Sequence, residues 1–252
     1  MLSRQAWSNE IIAAEFTRPE NVTLLGRLIP SSCPLCCQDC EHAICDSCWR
    51  QYFGVACNRC SQCAMPLAVR EDTHCGACIQ QAPAFDRTLA AVDYSPPVDR
   101  LVLALKYAGK LELAQLCRQA LAPLLESEPM RPDLLCAVPL GPQRLVERGY
   151  NQALEIARPL ARALDIPLAV RLIERVRETQ AQAQLPAVLR QQNLRNAFVL
   201  MPRAAATVAG RHVGVVDDVM TTGATLEEIA ATLKRFGAAR VTNIVFARTP
   251  PH

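Results

Sequence analysis

The sequence predicts an α/β protein: a parallel sheet flanked by helices, preceded by a small cysteine-rich module. Three observations carry this. Short apolar runs at Thr88–Tyr94, Leu134–Leu140, Val213–Val219 and Arg240–Ala247 have the look of strands buried on both faces. Stretches with helical spacing of leucine and alanine lie between them. Eleven of the thirteen cysteines fall between Cys33 and Cys78.

At 252 residues the chain has room for one large domain or two smaller ones. Half the residues are hydrophobic (50%) and 20% are charged, so a core is expected and disorder is not. The net charge of +3 is too weak to argue for nucleic acid by itself. No apolar run is long enough to insert in a membrane, and Glu10 and Glu15 interrupt any signal-like pattern. A cytoplasmic location is the expectation.

Residues 1–30 are expected to be an N-terminal extension, with Trp7, Ile11, Ile12 and Phe16 on one helical stripe. Residues 31–82 form the cysteine-rich unit. Four Cys-x-x-Cys pairs succeed one another: Cys33/Cys36, Cys45/Cys48, Cys60/Cys63 and Cys75/Cys78. Each is a tight turn that aims two thiolates at one metal, and eight thiolates make two structural Zn²⁺ sites, as in a double zinc ribbon. The simplest pairing joins the first two knuckles and the last two; a cross-braced pairing also satisfies the spacing. Cys37, Cys40 and Cys57 compete for the register, and His42 and His74 are expected to be bystanders. Five acids against three arginines make the Cys33–Cys78 segment acidic, which counts against an electrostatic DNA clamp.

Residues 83–252 carry the α/β unit. Pro96-Pro97 interrupts the chain after the first strand, and helices follow through Leu125. The strand at Leu134 runs into Val138-Pro139-Leu140, then Arg144, Arg148, Asn151 and Gln152 crowd polar groups beside its C-terminal end. Open α/β sheets bind ligands at that edge. A polar segment from Arg175 through Arg177, Thr179 and Gln182 has the composition of a lid, and Met201–Gly210 that of a loop or hairpin.

The most informative stretch is Val213–Thr225. An apolar strand ends in Asp217-Asp218; a loop of Thr221, Thr222, Gly223 and Ala224 follows; a helix then opens, with Thr225 and Glu228 spaced as a capping box. Leu226, Ile229, Leu233 and Phe236 mark its buried stripe, and Gly237 is placed to end it. The unpaired first amides of a helix and its dipole attract phosphate. Two carboxylates beside a phosphate make sense when the ligand also carries hydroxyls or Mg²⁺. An ordinary threonine-capped turn would not need them.

This stretch resembles the phosphoribosyl-pyrophosphate (PRPP) signature of type I phosphoribosyltransferases, whose sheet is Rossmann-like. The resemblance implies that Asp217 and Asp218 hold the ribose hydroxyls, and that Thr221, Thr222, Gly223, Ala224 and Thr225 hold the 5′-phosphate. Lys106-Tyr107, Val138-Pro139-Leu140, Arg148-Gly-Tyr-Asn-Gln152, Arg175-x-Arg177-x-Thr179-x-x-Gln182, Arg190-x-x-Asn193 and Asp217-Asp218 occur in one order downstream of the knuckles. As a set, over residues 31–249, they resemble the ComF family. That resemblance implies a pyrophosphate loop at Val138 to Pro142, Val138 and Pro139 included, with Arg144 and Arg148 nearby, Mg²⁺ bound with PRPP, a flexible loop at 175–182, and a role in natural competence. Asp217, Asp218 and Arg148 would be the catalytic residues of a pentosyl transfer. Two other readings stay open: a non-catalytic PRPP sensor that contacts single-stranded DNA or a competence helicase, and a nucleotide-salvage phosphoribosyltransferase.

Overall fold

The computed structural model describes residues 31–53, 57–69, 71–176, 197–202 and 204–250. Its centre is a four-stranded parallel sheet in the order β3-β8-β7-β4. The strands are β3 (Arg87–Asp93), β4 (Leu134–Ala137), β7 (His212–Met220) and β8 (Arg240–Arg248). β7 pairs with β8 from His212↔Arg240 to Met220↔Arg248, and with β4 from Leu134↔Val213 to Ala137↔Val216. Because all four run the same way, their C-terminal ends share one edge.

Near-continuous burial along β7 and β8 follows from covering both faces. α4 (Leu113–Glu126) and α6 (Gln152–Leu164) place Leu116, Leu121, Ile156 and Leu160 against Val216, Ile244 and Phe246. α8 (Ala224–Arg235) places Leu226, Ile229 and Leu233 against Val213, Val215 and Val245 on the other face. Each such side chain stabilises the layer by about 1.5–3 kcal/mol. The remaining body elements are α3 (Asp99–Tyr107), α5 (Pro142–Arg148), the antiparallel pair β5 (Ile173–Arg175) and β6 (Phe198–Leu200), and α7 (Ala205–Val208).

The cysteine-rich part is two lobes built alike. In the first, β1 (Ser31–Ser32) pairs with β2 (Asp39–Cys40), and Cys45 is the N-cap of α1 (Asp46–Tyr52). In the second, Cys75 is the N-cap of α2 (Gly76–Gln80). The other knuckle of each lobe is a turn: the Cys37 amide donates to Cys33 O and the Ala64 amide to Cys60 O, both at 2.8 Å. Cys37 and Ala64 take positive φ of 62° and 56°. The lobes join different core layers. Ile44, Trp49 and Phe53 of the first stack toward Phe246, whereas Cys63 and Cys78 of the second pack with the α8 layer.

Three expectations are corrected. α8 starts at Ala224 with Gly223 as its N-cap, so Thr225 lies in the first turn and is not the capping residue. Gly223 at φ +84° turns the chain into the helix early. Phe236 is the C-cap residue and 42% exposed, because the helix has already ended where its stripe would have continued. Gly149, at φ +77°, ends α5 before Asn151 caps α6, which runs to Leu164. Residues 205–208 form α7, a short helix, where a loop or hairpin was expected. The expected N-terminal stripe and Arg177, Thr179 and Gln182 lie outside the described residues.

Candidate functional site

A cavity of about 230 Å³ opens at the C-terminal edge of the sheet, between β4 and β7. It brings together Val138, Pro139, Arg144, Arg148, Arg175, Asp217, Asp218 and Thr221–Thr225, all predicted from sequence. Arg175 reaches it from β5, where it pairs with Phe198 and holds its guanidinium 5.6 Å from that ring; it is part of a strand.

The loop from Thr221 follows directly from the end of β7. Beyond Gly223 the backbone is helical, so the first amides of a twelve-residue helix face the cavity's end. A Cβ on Gly223 would lie 2.5 Å from Met220 Cε, so a side chain there would crowd the loop. Thr222 Oγ1 accepts from the Ala224 amide at 3.4 Å.

The two acids differ. Asp218 Oδ1 accepts from the Val219 amide at 2.8 Å, and Oδ2 lies 3.1 Å from Lys106 Nζ. Asp217 Oδ1 accepts from the Asp218 amide at 2.9 Å. Burial, and then the charge of Asp218, pushes the Asp217 carboxyl up to about 8, against the pull of Lys106. Near neutral pH the Asp217 carboxyl is therefore protonated.

The opposite wall is cationic. Arg144 and Arg148 sit one turn apart on α5. Arg148 lies 5.0 Å from the Tyr107 ring and donates to its hydroxyl at 3.4 Å. Asn151 fixes the strand end to α6: its Nδ2 donates to Val138 O at 2.9 Å and its Oδ1 caps Leu154 N at 3.3 Å. Gln152 is 2% exposed, and its Nε2 has no acceptor among the described residues. Such an orphaned donor beside a cavity is what an anionic or hydroxylated ligand would satisfy. Sequence reasoning left Lys106 and Tyr94 off the site. The Lys106-Tyr107 pair was the signal for the first; nothing local marked the second.

The cysteines settle into two clusters, Cys33/Cys36/Cys45/Cys48 and Cys60/Cys63/Cys75/Cys78, with all sulfurs of each within 4.8 Å of one another. This is the simple pairing, and Cys37, Cys40 and Cys57 stand outside it; Cys40 Sγ instead donates to His42 O at 2.9 Å. Cys36 and Cys45 sulfurs are 3.6 Å apart, and Cys63 and Cys75 sulfurs 3.5 Å. A zinc tetrahedron with 2.3 Å bonds has an edge of about 3.8 Å. Burial raises the Cys33 and Cys60 thiols, but backbone amides aimed at them outweigh it and bring them to about 6 and about 7. Burial and the neighbouring sulfurs push Cys48 and Cys78 well up. Four sulfurs this close ionise together only around a cation, so each donor set fits zinc. Four cysteines would saturate such an ion, so its role there would be structural.

The fold and the cavity define a phosphoribosyltransferase-type domain, and the family model described as the phosphoribosyl transferase domain matches residues 151–251. Two curated relatives extend the similarity upstream. "DNA utilization protein YhgH" of Escherichia coli O157:H7 is 39% identical over 195 residues, covering 75% of this chain and 84% of the relative. "Competence protein F" of Haemophilus influenzae is 32% identical over 206 residues, covering 80% and 88%. The chain belongs to the family of these proteins, the ComF family. Among solved structures, a purine phosphoribosyltransferase from Pyrococcus horikoshii overlaps 54% of this chain and 74% of its own, at 24% identity and a TM-score of 0.35. Among the described residues no helix is long and apolar enough to cross a membrane.

Proposed function

We propose that the chain binds PRPP with Mg²⁺ in this cavity, and that it serves natural competence and DNA uptake as a phosphoribosyltransferase-like protein. The observation that carries the reading is the convergence, in one cavity, of a helix N-terminus, a pair of acids and an arginine-bearing helix. Amides and hydroxyls of Thr221–Thr225 take the 5′-phosphate. Asp217 and Asp218 accept from the ribose hydroxyls. Arg144 and Arg148, beside the Val138-Pro139 strand end, face the pyrophosphate, and the Gln152 amide donates to it. Mg²⁺, held by the acids and by ligand oxygens, would neutralise pyrophosphate charge. If the pentosyl bond is transferred, Arg144 and Arg148 stabilise the departing pyrophosphate while the buried acids face the cationic ribose. The competence role rests on the printed names of the relatives. Two structural zinc ions in the lobes, and a three-part division at residues 30 and 82, complete the reading.

A second reading is favoured by a specific surface. Tyr107, in contact with the cavity residue Arg148, is 70% exposed. In that reading PRPP occupancy regulates contact with a competence helicase or single-stranded DNA, without turnover. Incubation with PRPP, Mg²⁺ and a panel of nucleobases, monitored for pyrophosphate release, separates the two. Release that disappears in Asp217→Asn/Asp218→Asn supports transfer. Saturable binding without release supports the sensor, and absence of binding at millimolar PRPP defeats both.

A further inference from the structure

The site description leaves one buried charge unexplained. Arg248, the last residue of β8, is 4% exposed, and no carboxylate pairs with it among the described residues. Its guanidinium donates to four carbonyls. Nε reaches Cys63 O at 3.0 Å; Nη1 reaches Met220 O at 3.0 Å, Thr249 O at 2.8 Å, and Thr221 O. One side of the group thus belongs to a metal knuckle and the other to the phosphate loop.

Peptide geometry makes the loop contacts consequential. In a trans peptide the N–H points opposite to the C=O. Holding the Met220 and Thr221 carbonyls toward Arg248 therefore aims the Thr221 and Thr222 amides away from it. Neither amide has an acceptor among the described residues, and both residues line the ligand cavity. A buried guanidinium also needs a counter-charge. Zinc with four thiolates would carry a net charge of about −2, and Arg248 Nε donates to the carbonyl of one of those ligands, Cys63, at 3.0 Å.

We propose that Arg248 is a positioning residue for the phosphate loop, and that the metal centre at Cys60, Cys63, Cys75 and Cys78 is its counter-charge. Metal occupancy of the second lobe then sets the aim of the loop amides. When the metal leaves, the turn that presents the Cys63 carbonyl to Arg248 loses its clamp. Arg248 then loses its fixed anchor at Nε, its hold on the Met220 and Thr221 carbonyls weakens, and the loop loosens. The first lobe has no such link, because its sulfurs lie in the other core layer.

The consequence for ligand affinity rests on the PRPP reading above; the consequence for loop order does not. The test uses the full chain and three measurements: zinc per chain, amide hydrogen exchange over residues 220–225, and affinity for Mg²⁺-PRPP. Arg248→Met is expected to keep both zinc ions, to speed loop exchange about tenfold and to weaken PRPP by a similar factor, as for lost charge-assisted hydrogen bonds. Arg248→Lys, which keeps the charge, is expected to recover most of both. Cys75→Ser is expected to lose one zinc and speed loop exchange as Arg248→Met does. Combining the two is expected to add nothing further, since both cut one link. Arg59→Gln is the control: Arg59 contacts Ala64 O at 3.2 Å and Asp93 at 2.8 Å but not the loop. The proposal is overturned if Arg248→Met leaves loop exchange within about twofold of wild type, if Lys fails to rescue it, if the double variant is additive, or if Arg59→Gln loosens the loop equally. Wild type that fails to bind PRPP would defeat the ligand reading alone, with the exchange data still deciding the role of Arg248.

Discussion

Ligand binding should expel a proton from Asp217, and the size of the effect follows from its environment. The carboxyl is held at about 8 by burial and by Asp218, well above its ordinary 3.8. At pH 7 an acid of pKa about 8 carries about 0.9 proton, and at pH 9 about 0.1. Ribose hydroxyls and Mg²⁺ both favour the carboxylate, so Mg²⁺-PRPP should release about 0.9 proton at pH 7 and almost none at pH 9. Affinity should rise by up to about tenfold per pH unit below 8 and level off above it. Calorimetry in two buffers of different ionisation enthalpy reads the proton count directly. Asp217→Asn isolates this carboxyl from the phosphate's own proton, whose pKa is about 6. The folding linkage has a matching sign. An acid raised on folding is stabilising while protonated, so stability should fall as pH rises from about 4 toward about 8 and then flatten. Asp217→Asn should remove that slope. Equal proton release by wild type and Asp217→Asn at pH 7 would refute the reasoning.

Other perturbations test neighbouring parts. Lys106→Met leaves the buried Asp218 oxygen without its cation 3.1 Å away and should cost about 2 kcal/mol in urea unfolding, less than a fully buried pair because Lys106 is 23% exposed. Gly223→Ala forces an alanine into φ +84°, at about 1–2 kcal/mol, and pushes against Met220 Cε, which can swing aside; Tm should fall modestly while PRPP affinity falls more. Strong chelation should release two metal ions per chain and shift the Trp49 emission, because that ring is 5% exposed and packed beside Cys48 in the first lobe. Metal release without a change in Trp49 would contradict its coupling to the cluster.

Much of the site was legible because its chemistry is local in sequence. Asp217, Asp218 and Thr221–Thr225 lie within one strand-loop-helix unit, so their spacing alone implied a phosphate site. The knuckles were legible for the same reason, since each Cys-x-x-Cys closes its own turn. Their pairing was the simplest of those the spacing allowed. What escaped was set by distant contacts or by backbone dihedrals. Lys106 meets Asp218 only because the last turn of α3 brings it within reach of the end of β7. Arg248 lies one residue past the expected strand, and only β8 running on to it places it between a cysteine knuckle and the loop. The capping reading failed because Gly223 can turn left-handed, which begins the helix before the hydroxyl that had seemed to cap it. Phe236 follows the helical period, but the period stops where Gly237, at φ +88°, turns the chain away.

Crystals of the full chain grown with PRPP and Mg²⁺ test the central claim most directly. The account predicts the 5′-phosphate within hydrogen-bond distance of the amides of Thr221–Thr225, with the ribose hydroxyls on Asp217 and Asp218. A cavity left empty at saturating PRPP, or a ligand bound with its phosphate away from the start of α8, would contradict it.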